Sequence, residues 1–364
     1  MLKTLKIILI VIFGFVALFL LILSYFSLIR MNDIRLQNRH LRRLADYYAL
    51  EHVPEDESTW IDFDVSDPTL TLHDIRLLAT HNSYKKTGPA LGRLFVGLGE
   101  NFDEARSLRY GYQTLTAQFE NGIRSMEWDV RLRNGQFEIT HVPLVDNSGI
   151  APVLEPALQE LRLFSEHHPD HIPIIILFEI KYDWMVLDPL LENIGTDELL
   201  ALDLLLEDVL GQHLFRPSDL FDGNVTSLRE TIQNDGWPSV HSLLGKVIIV
   251  LHPGRPTQPY VDLDPSLMSQ AMFPGVHASG TSDDHAAFVV HNSVDIEAIG
   301  NLVDEGFIVR TRIDSGLVFN QQRFDDALAS GAQILTSDFT IGRSDLDPAL
   351  MITLPGNKTV IRRD

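Results

Sequence analysis

The sequence has no cysteine among its 364 residues. Disulfides and thiolate metal sites are therefore excluded, and any bound metal ion must be held by oxygen or imidazole. Many exported proteins also lack cysteine, so its absence does not identify a compartment. Positive charge is scarce too: 29 Lys and Arg stand against 50 Asp and Glu, a net charge of −21. Seven of the basic residues (Lys3, Lys6, Arg30, Arg35, Arg39, Arg42 and Arg43) and only one acidic residue, Asp33, fall within positions 1–45, so the remainder is more acidic than the whole. Such a body argues against nucleic-acid binding, which needs positive patches. It is also repelled from anionic lipid unless a tether or a cation intervenes. No G-x-G-x-x-G follows an early strand and no Walker sequence is present, so dinucleotide and P-loop folds lose their main support. There is no internal repeat and no low-complexity tract.

One long apolar run exists. Ile7 to Ile29 (IILIVIFGFVALFLLILSYFSLI) is uncharged and long enough to cross a bilayer. It exceeds a signal-peptide core and ends without an Ala-x-Ala site, so it reads as an uncleaved anchor. Basic residues flank it on both sides, and charge alone does not orient it. A short basic tail before a single span is the usual export arrangement, which favours an extracytoplasmic body. Residues 32–50 read as a basic amphipathic helix, either on the membrane surface or as a solvated stalk. The expected division is an anchor over 1–30, a stalk and polar linker over 31–60, a folded body over 61–345 and a C-terminal tail over 346–364.

Within the body, short apolar strands are predicted at 74–80, 122–130, 137–141, 173–180, 246–251, 287–291, 307–312 and 333–338. Helical stretches separate most of them, at about 104–121, 153–167, 187–211, 226–234, 294–304 and 321–330. Strands alternating with helices mean βα units and a parallel sheet. About eight strands fit a closed TIM-type (β/α) barrel better than an open sheet, and the segment 183–245 reads as a helical insertion.

Barrel strands alternate their side chains between the interior and the surrounding helices. In SMEWDV, this puts Ser125, Glu127 and Asp129 on one face and Met126, Trp128 and Val130 on the other. The apolar set suits the helices. Two carboxylates then lie inside, near the C-terminal strand end, where barrel enzymes carry their chemistry. Buried like charges need a cation or protons, and Arg124 and Arg131 are both expected to face away. In LFEIK, Glu179 and Lys181 share a face at the mouth. His141 ends the third predicted strand. Arg310, Arg312 and Asp314 share a face of RTRID, and Asp338 closes the last strand.

Asn82, Glu127, Asp129 and Glu179 are hard oxygen donors suited to Ca²⁺ or Mg²⁺ rather than zinc. His81 and His141 are titratable near neutral pH, and Lys181 and Arg312 offer positive charge to an anion. Two histidines, a divalent cation and basic residues describe phosphodiester cleavage.

The segments THNSY (80–84), GIRSMEWDVR (122–131), ITHVP (139–143), IIILFEIK (174–181), VRTRID (309–314) and AQILTSDF (332–339), in this order, resemble the calcium-dependent phosphoinositide-specific phospholipase C family. The resemblance runs over about residues 72–340. It implies a TIM-type barrel acting on a phospholipid in a membrane. The inositol 2-hydroxyl would attack phosphorus, releasing diacylglycerol and a cyclic inositol phosphate. It further implies His81 at the nucleophile and His141 at the leaving group. Ca²⁺, rather than Mg²⁺, would sit on Asn82, Glu127, Asp129 and Glu179, while Lys181, Arg312, Asp314 and Asp338 would face the substrate. The alternatives are a glycerophosphodiester phosphodiesterase or phospholipase D-like barrel, which typically carries His-Arg where this chain has His81-Asn82, and a non-catalytic lipid-binding barrel.

Overall fold

In the computed structural model, which describes residues 2–50, 56–221 and 227–363, eight parallel strands close on themselves. They are β1 (Ile75–Thr80), β2 (Ser125–Arg133), β3 (Ile174–Ile180), β4 (Val247–Leu251), β5 (Phe273–His277), β6 (Phe288–Val290), β7 (Ile308–Arg312) and β8 (Ile334–Ser337). Each pairs with the next, and β1 pairs with both β2 and β8, so the ring is a TIM barrel. The expected alternation holds on β2. Met126, Trp128 and Val130 pack outward with Leu158, Leu161 and Leu202 of the covering helices Leu154–His167 and Thr196–Leu210. Apolar positions of the first helix recur at 154, 157, 158, 161 and 164, the spacing that keeps one helical stripe buried.

Two of the predicted strand positions are corrected. The segment expected as the third barrel strand, Gln136–Ile139, runs antiparallel beside β2, outside the ring. Asn134 and Gly135 turn the chain there with φ of 54° and 73°, the two positive values of a tight hairpin turn that Asn-Gly favours. The barrel strand missed is β5, whose sequence Phe-Pro-Gly-Val-His carries the two residues that weigh most against a strand. Gly275 is required, because a Cβ there would stand 2.7 Å from the Leu251 carbonyl oxygen of β4. The stretch 104–121 forms two short helices, Phe102–Ser107 and Leu115–Glu120, rather than one.

The division of the ends also changes. The expected C-terminal tail supplies a strand, Val360–Arg362, antiparallel to the first half of β1. It fills the edge that β2 leaves open, since β2 reaches only Ala79 and Thr80.

Residues 2–48 form one unbroken helix, α1 (Leu2–Tyr48). Its first half is exposed and apolar, long enough to cross a membrane by length and composition. Its second half docks on the body rather than standing as a free stalk. Phe26, Asp33, Gln37, Leu44 and Tyr48 are buried against the body. Gln37 donates to the Val153 carbonyl at 2.8 Å and accepts from its N–H at 3.1 Å, replacing a backbone partner. Arg30 pairs with Glu138, Asp33 with Lys86, and His40 with Glu160. The expected linker falls partly on residues 51–55, which lie outside the described residues. Beyond them, Glu57 pairs with the buried Arg124. A second helix, α2 (Ala90–Gly99), lies beside α1 near the barrel mouth.

Candidate active site

β1 ends in a turn in which Asn82 takes φ 48° and its carbonyl accepts from Lys85 N–H. Asparagine tolerates this left-handed conformation better than most residues. Ser83 stitches the turn to β2: its N–H donates to the Glu127 carbonyl, and its hydroxyl accepts from Glu127 N–H, both at 3.1 Å. His81 and Asn82 are thereby fixed against Glu127.

Asn82 Nδ2 donates to Tyr110 OH at 3.0 Å. That contact turns Oδ1 the other way, where it is buried without a hydrogen-bond partner. Asp129 is in the same situation. Its Oδ2 accepts from Tyr84 OH at 2.9 Å, while Oδ1 is buried and unpartnered. Carboxylate oxygens of Glu127, Asp129 and Glu179 lie within 4.8 Å of one another. Burial pushes Asp129 above the ordinary carboxylate range, the Lys181 ammonium opposes this, and Glu179 adds to it. Burial also pushes Glu127 up, but Arg310, His81, His252 and Arg312 outweigh it and hold it well below that range. Lys181, 3.0 Å from Glu179 and 4.0 Å from Asp129, is raised, because these acids outweigh its burial. Orphaned buried oxygens beside three carboxylates, with neither sulfur nor imidazole in the set, fit a hard cation such as Ca²⁺.

Each histidine faces a carboxylate. His81 Nδ1 lies 2.8 Å from Asp338 Oδ1, which leaves Nε2 toward the cavity, 3.4 Å from Arg312 Nη1. Arg312 also donates to Asp338 Oδ2 at 3.1 Å. Burial raises Asp338, but His81 and Arg312 together outweigh it and keep it low. His141 Nδ1 lies 3.7 Å from Asp146 Oδ2. Asp146 is itself held by the buried ammonium of Lys85 at 2.7 Å.

All the predicted site residues line one cavity of about 370 Å³ except Asp129 and Asp314. Asp129 sits beneath its floor, through the contacts given above. Asp314 is corrected as a substrate contact: it is fully buried, and its carboxylate accepts from Ser337 Oγ and from Asp338 N–H. Burial and the neighbouring Asp338 push it up to about 6. Asp338 is occupied by His81 and Arg312. Arg131 shares the parity of Glu127 and Asp129, contrary to expectation, but reaches past them to bind the Thr140 and His141 carbonyls and Asp183. Arg310 meets Glu127 instead.

Arg310, His252, Asn292 and Tyr110 also line the cavity and were not assigned from sequence. His252 was legible by the same rule that found His141, a polar residue just after an apolar strand. Burial lowers it, and Glu127 and Glu179 oppose that shift. Asp146, on an irregular loop, carries no sequence signal.

A barrel of this kind, with acids, histidines and arginines at the C-terminal strand ends, belongs to a phosphoric diester hydrolase. The family model described as phosphoinositide phospholipase C, Ca²⁺-dependent, matches residues 130–363, more than half of the chain. The chain belongs to that family, and the family is Ca²⁺-dependent. Among solved structures, the calcium-dependent phosphoinositol-specific phospholipase C of a Gram-negative Pseudomonas sp., as its myoinositol complex, is 17% identical. It has a TM-score of 0.61 and covers 85% of this chain and 100% of its own. The apo form in a second crystal form is 16% identical, with a TM-score of 0.59 and the same coverage. The Ca²⁺-dependent phosphatidylinositol-specific enzyme of Streptomyces antibioticus is 18% identical, with a TM-score of 0.55, and covers 74% of this chain and 95% of its own. At these identities the likeness is one of fold. No curated protein matches the chain.

Proposed function

We propose that the protein is a membrane-anchored phospholipase C that cleaves phosphatidylinositol-type lipid to diacylglycerol and a cyclic inositol phosphate. The observation that carries this reading is the pair of orphaned oxygens, Asn82 Oδ1 and Asp129 Oδ1, beside Glu127 and Glu179 and between two histidine–aspartate pairs. Asn82, Glu127, Asp129 and Glu179 would hold Ca²⁺, which would supply positive charge to a phosphoryl oxygen and lower the pKa of the attacking hydroxyl. His81 Nε2 takes the proton of the inositol 2-hydroxyl as its oxygen bonds to phosphorus. Asp338 keeps Nδ1 engaged and holds the ring in that orientation. Arg312, beside Nε2, holds the phosphate against His81. His141 gives its proton to the glycerol oxygen as the phosphorus–oxygen bond to glycerol breaks, and Asp146 faces the charged ring. Water can then open the cyclic product with the two roles reversed. Lys181 pairs with Glu179 and faces Asp129, which holds the two carboxylates in place.

The exposed apolar half of α1 supports anchoring, with Lys3 and Lys6 inside and the barrel outside the cytoplasm. A tethered barrel meets its lipid at high effective concentration. The test uses the full chain in vesicles, because the second half of α1 is part of the fold. Diacylglycerol released from phosphatidylinositol, and stopped by a calcium chelator, supports the reading. Cleavage of glycerophosphoinositol to free glycerol or glycerol phosphate instead replaces it with the glycerophosphodiester phosphodiesterase reading.

A further inference from the structure

A groove of about 300 Å³ runs between α1 and the loop that carries His141. Phe19, Ile22 and Phe26 of α1 form one wall, Phe95 of α2 another, and Val142 and Val145 the side toward the cavity. We propose that this groove receives an acyl chain of the lipid substrate while the head group occupies the active-site cavity. This rests on the reading of the protein as a membrane-anchored lipid phosphodiesterase.

Three observations carry the proposal. The groove is continuous with the candidate span. Phe19 lies about 15 Å along the helix axis before the end of the apolar run at Ile29, within the depth of the near leaflet. An acyl chain can pass there from the leaflet without crossing water. Exposed apolar side chains stand on the same elements: Leu94 and Leu98 on α2, Phe102 just after it, and Val186 between the lining residues Trp184 and Leu187 are between 46% and 89% exposed. Such a patch rarely faces water and suits insertion among lipid tails. The third observation concerns the wall itself. The loop that lines it begins at His141 and ends at Asp146, so its apolar residues and the His141–Asp146 pair belong to one short segment. α2 presses directly on this segment at Gly92, where a Cβ would fall 1.9 Å from the Val145 carbonyl oxygen. A chain in the groove therefore packs on the segment that positions His141. Pocket size sits at the lower end of the range for small-molecule sites, enough for part of one chain.

Two experiments on the full-length protein test this. In the first, it is placed in phosphatidylcholine vesicles in which some acyl chains carry a terminal diazirine. The lipid is photolysed and adducts are mapped by mass spectrometry. Adducts at Phe95 and Val145 are expected. Adducts confined to Leu5–Leu18, with none at Phe95, Val142 or Val145, overturn the proposal. Because phosphatidylcholine labelling needs no turnover, it decides the groove even if the enzyme cleaves no inositol lipid, a result that would sink the phospholipase reading alone. In the second, Gly99, where an added Cβ meets open space, is replaced in Gly99→Trp to fill the groove. Turnover of long-chain relative to short-chain phosphatidylinositol should fall about tenfold, the loss of about two buried methylenes. An unchanged ratio overturns the proposal.

Discussion

His81 and His141 face the same cavity from unlike supports. His81 sits where β1 turns, and its partner Asp338 follows β8, the strand paired with β1. The pair is closed at 2.8 Å and further clamped by Arg312 and by the buried Asp314 under the Asp338 backbone. His141 stands on a loop outside the ring, 3.7 Å from Asp146, with its carbonyl bound by Arg131 and Lys85 behind Asp146. One histidine is built into the barrel, and the other is carried by a segment that borders the α1 groove. In the proposed mechanism, the difference would separate a preset base from an acid whose position depends on its surroundings.

The sharpest way to break that contrast is to remove each ring. His81→Ala and His141→Ala should each lower kcat by about a thousandfold, the upper part of the range for general acid–base groups. Equal, small losses in phosphatidylinositol assays would mean that neither histidine transfers a proton. Next in size, Asn82→Ala should lower activity about a hundredfold at low Ca²⁺ and be partly restored by raising it, a response expected of a lost ligand. Activity curves against free Ca²⁺ decide this.

The carboxylates separate the two supports directly. Asp338→Asn should cost about thirtyfold in kcat, and Asp146→Asn about threefold, because only the first breaks a closed pair to its histidine. A reversed order would show that the loop pair is the tighter one in the working enzyme.

The smallest effect is one of stability rather than rate. Asp314 has its pKa raised to about 6 by burial and by Asp338, against 3.8 for the free group. A raised carboxyl favours its protonated form in the folded state, so its contribution is greatest below pH 3.8 and is lost as pH rises toward 6. The loss is about 3 kcal/mol at most, from a shift of about two units at 1.36 kcal/mol each. Asp314→Asn should therefore have a melting temperature that rises relative to the native chain between pH 4 and pH 7. A constant difference across that interval would remove Asp314 from the account of the His81 side.

Much of this was legible in the sequence because period-two alternation and strand-end placement are strong signals. Glu127, Asp129, Glu179, His81 and Asn82 were found that way, and the family resemblance joined them. What failed did so for identifiable reasons. β5 was hidden because Pro274 and Gly275 argue against a strand, yet the sheet tolerates them where backbones approach closely. Gln136–Ile139 was misplaced because the Asn134-Gly135 turn signal was not weighed against the barrel count. Asp314 was put at the substrate because parity gives the face of a strand but not the depth of a side chain below the mouth. The docking of α1 was missed because its buried stripe, Phe26, Asp33, Gln37, Leu44 and Tyr48, has a heptad spacing in which two of the five members are polar. A search for apolar residues alone does not see a seam closed by Gln37 and by Asp33.

That seam fixes an azimuth. The candidate span and the docked half of α1 are turns of the same helix, so the barrel has no swivel about the span beyond the bending of the helix itself. Each residue inserted between the exposed and docked halves would carry the whole barrel around the span by about 100° while lifting it only about 1.5 Å. The angular position of the barrel about the candidate span is thus written in the residue count of one helix, much as the phase of a screw thread sets where its slot comes to rest.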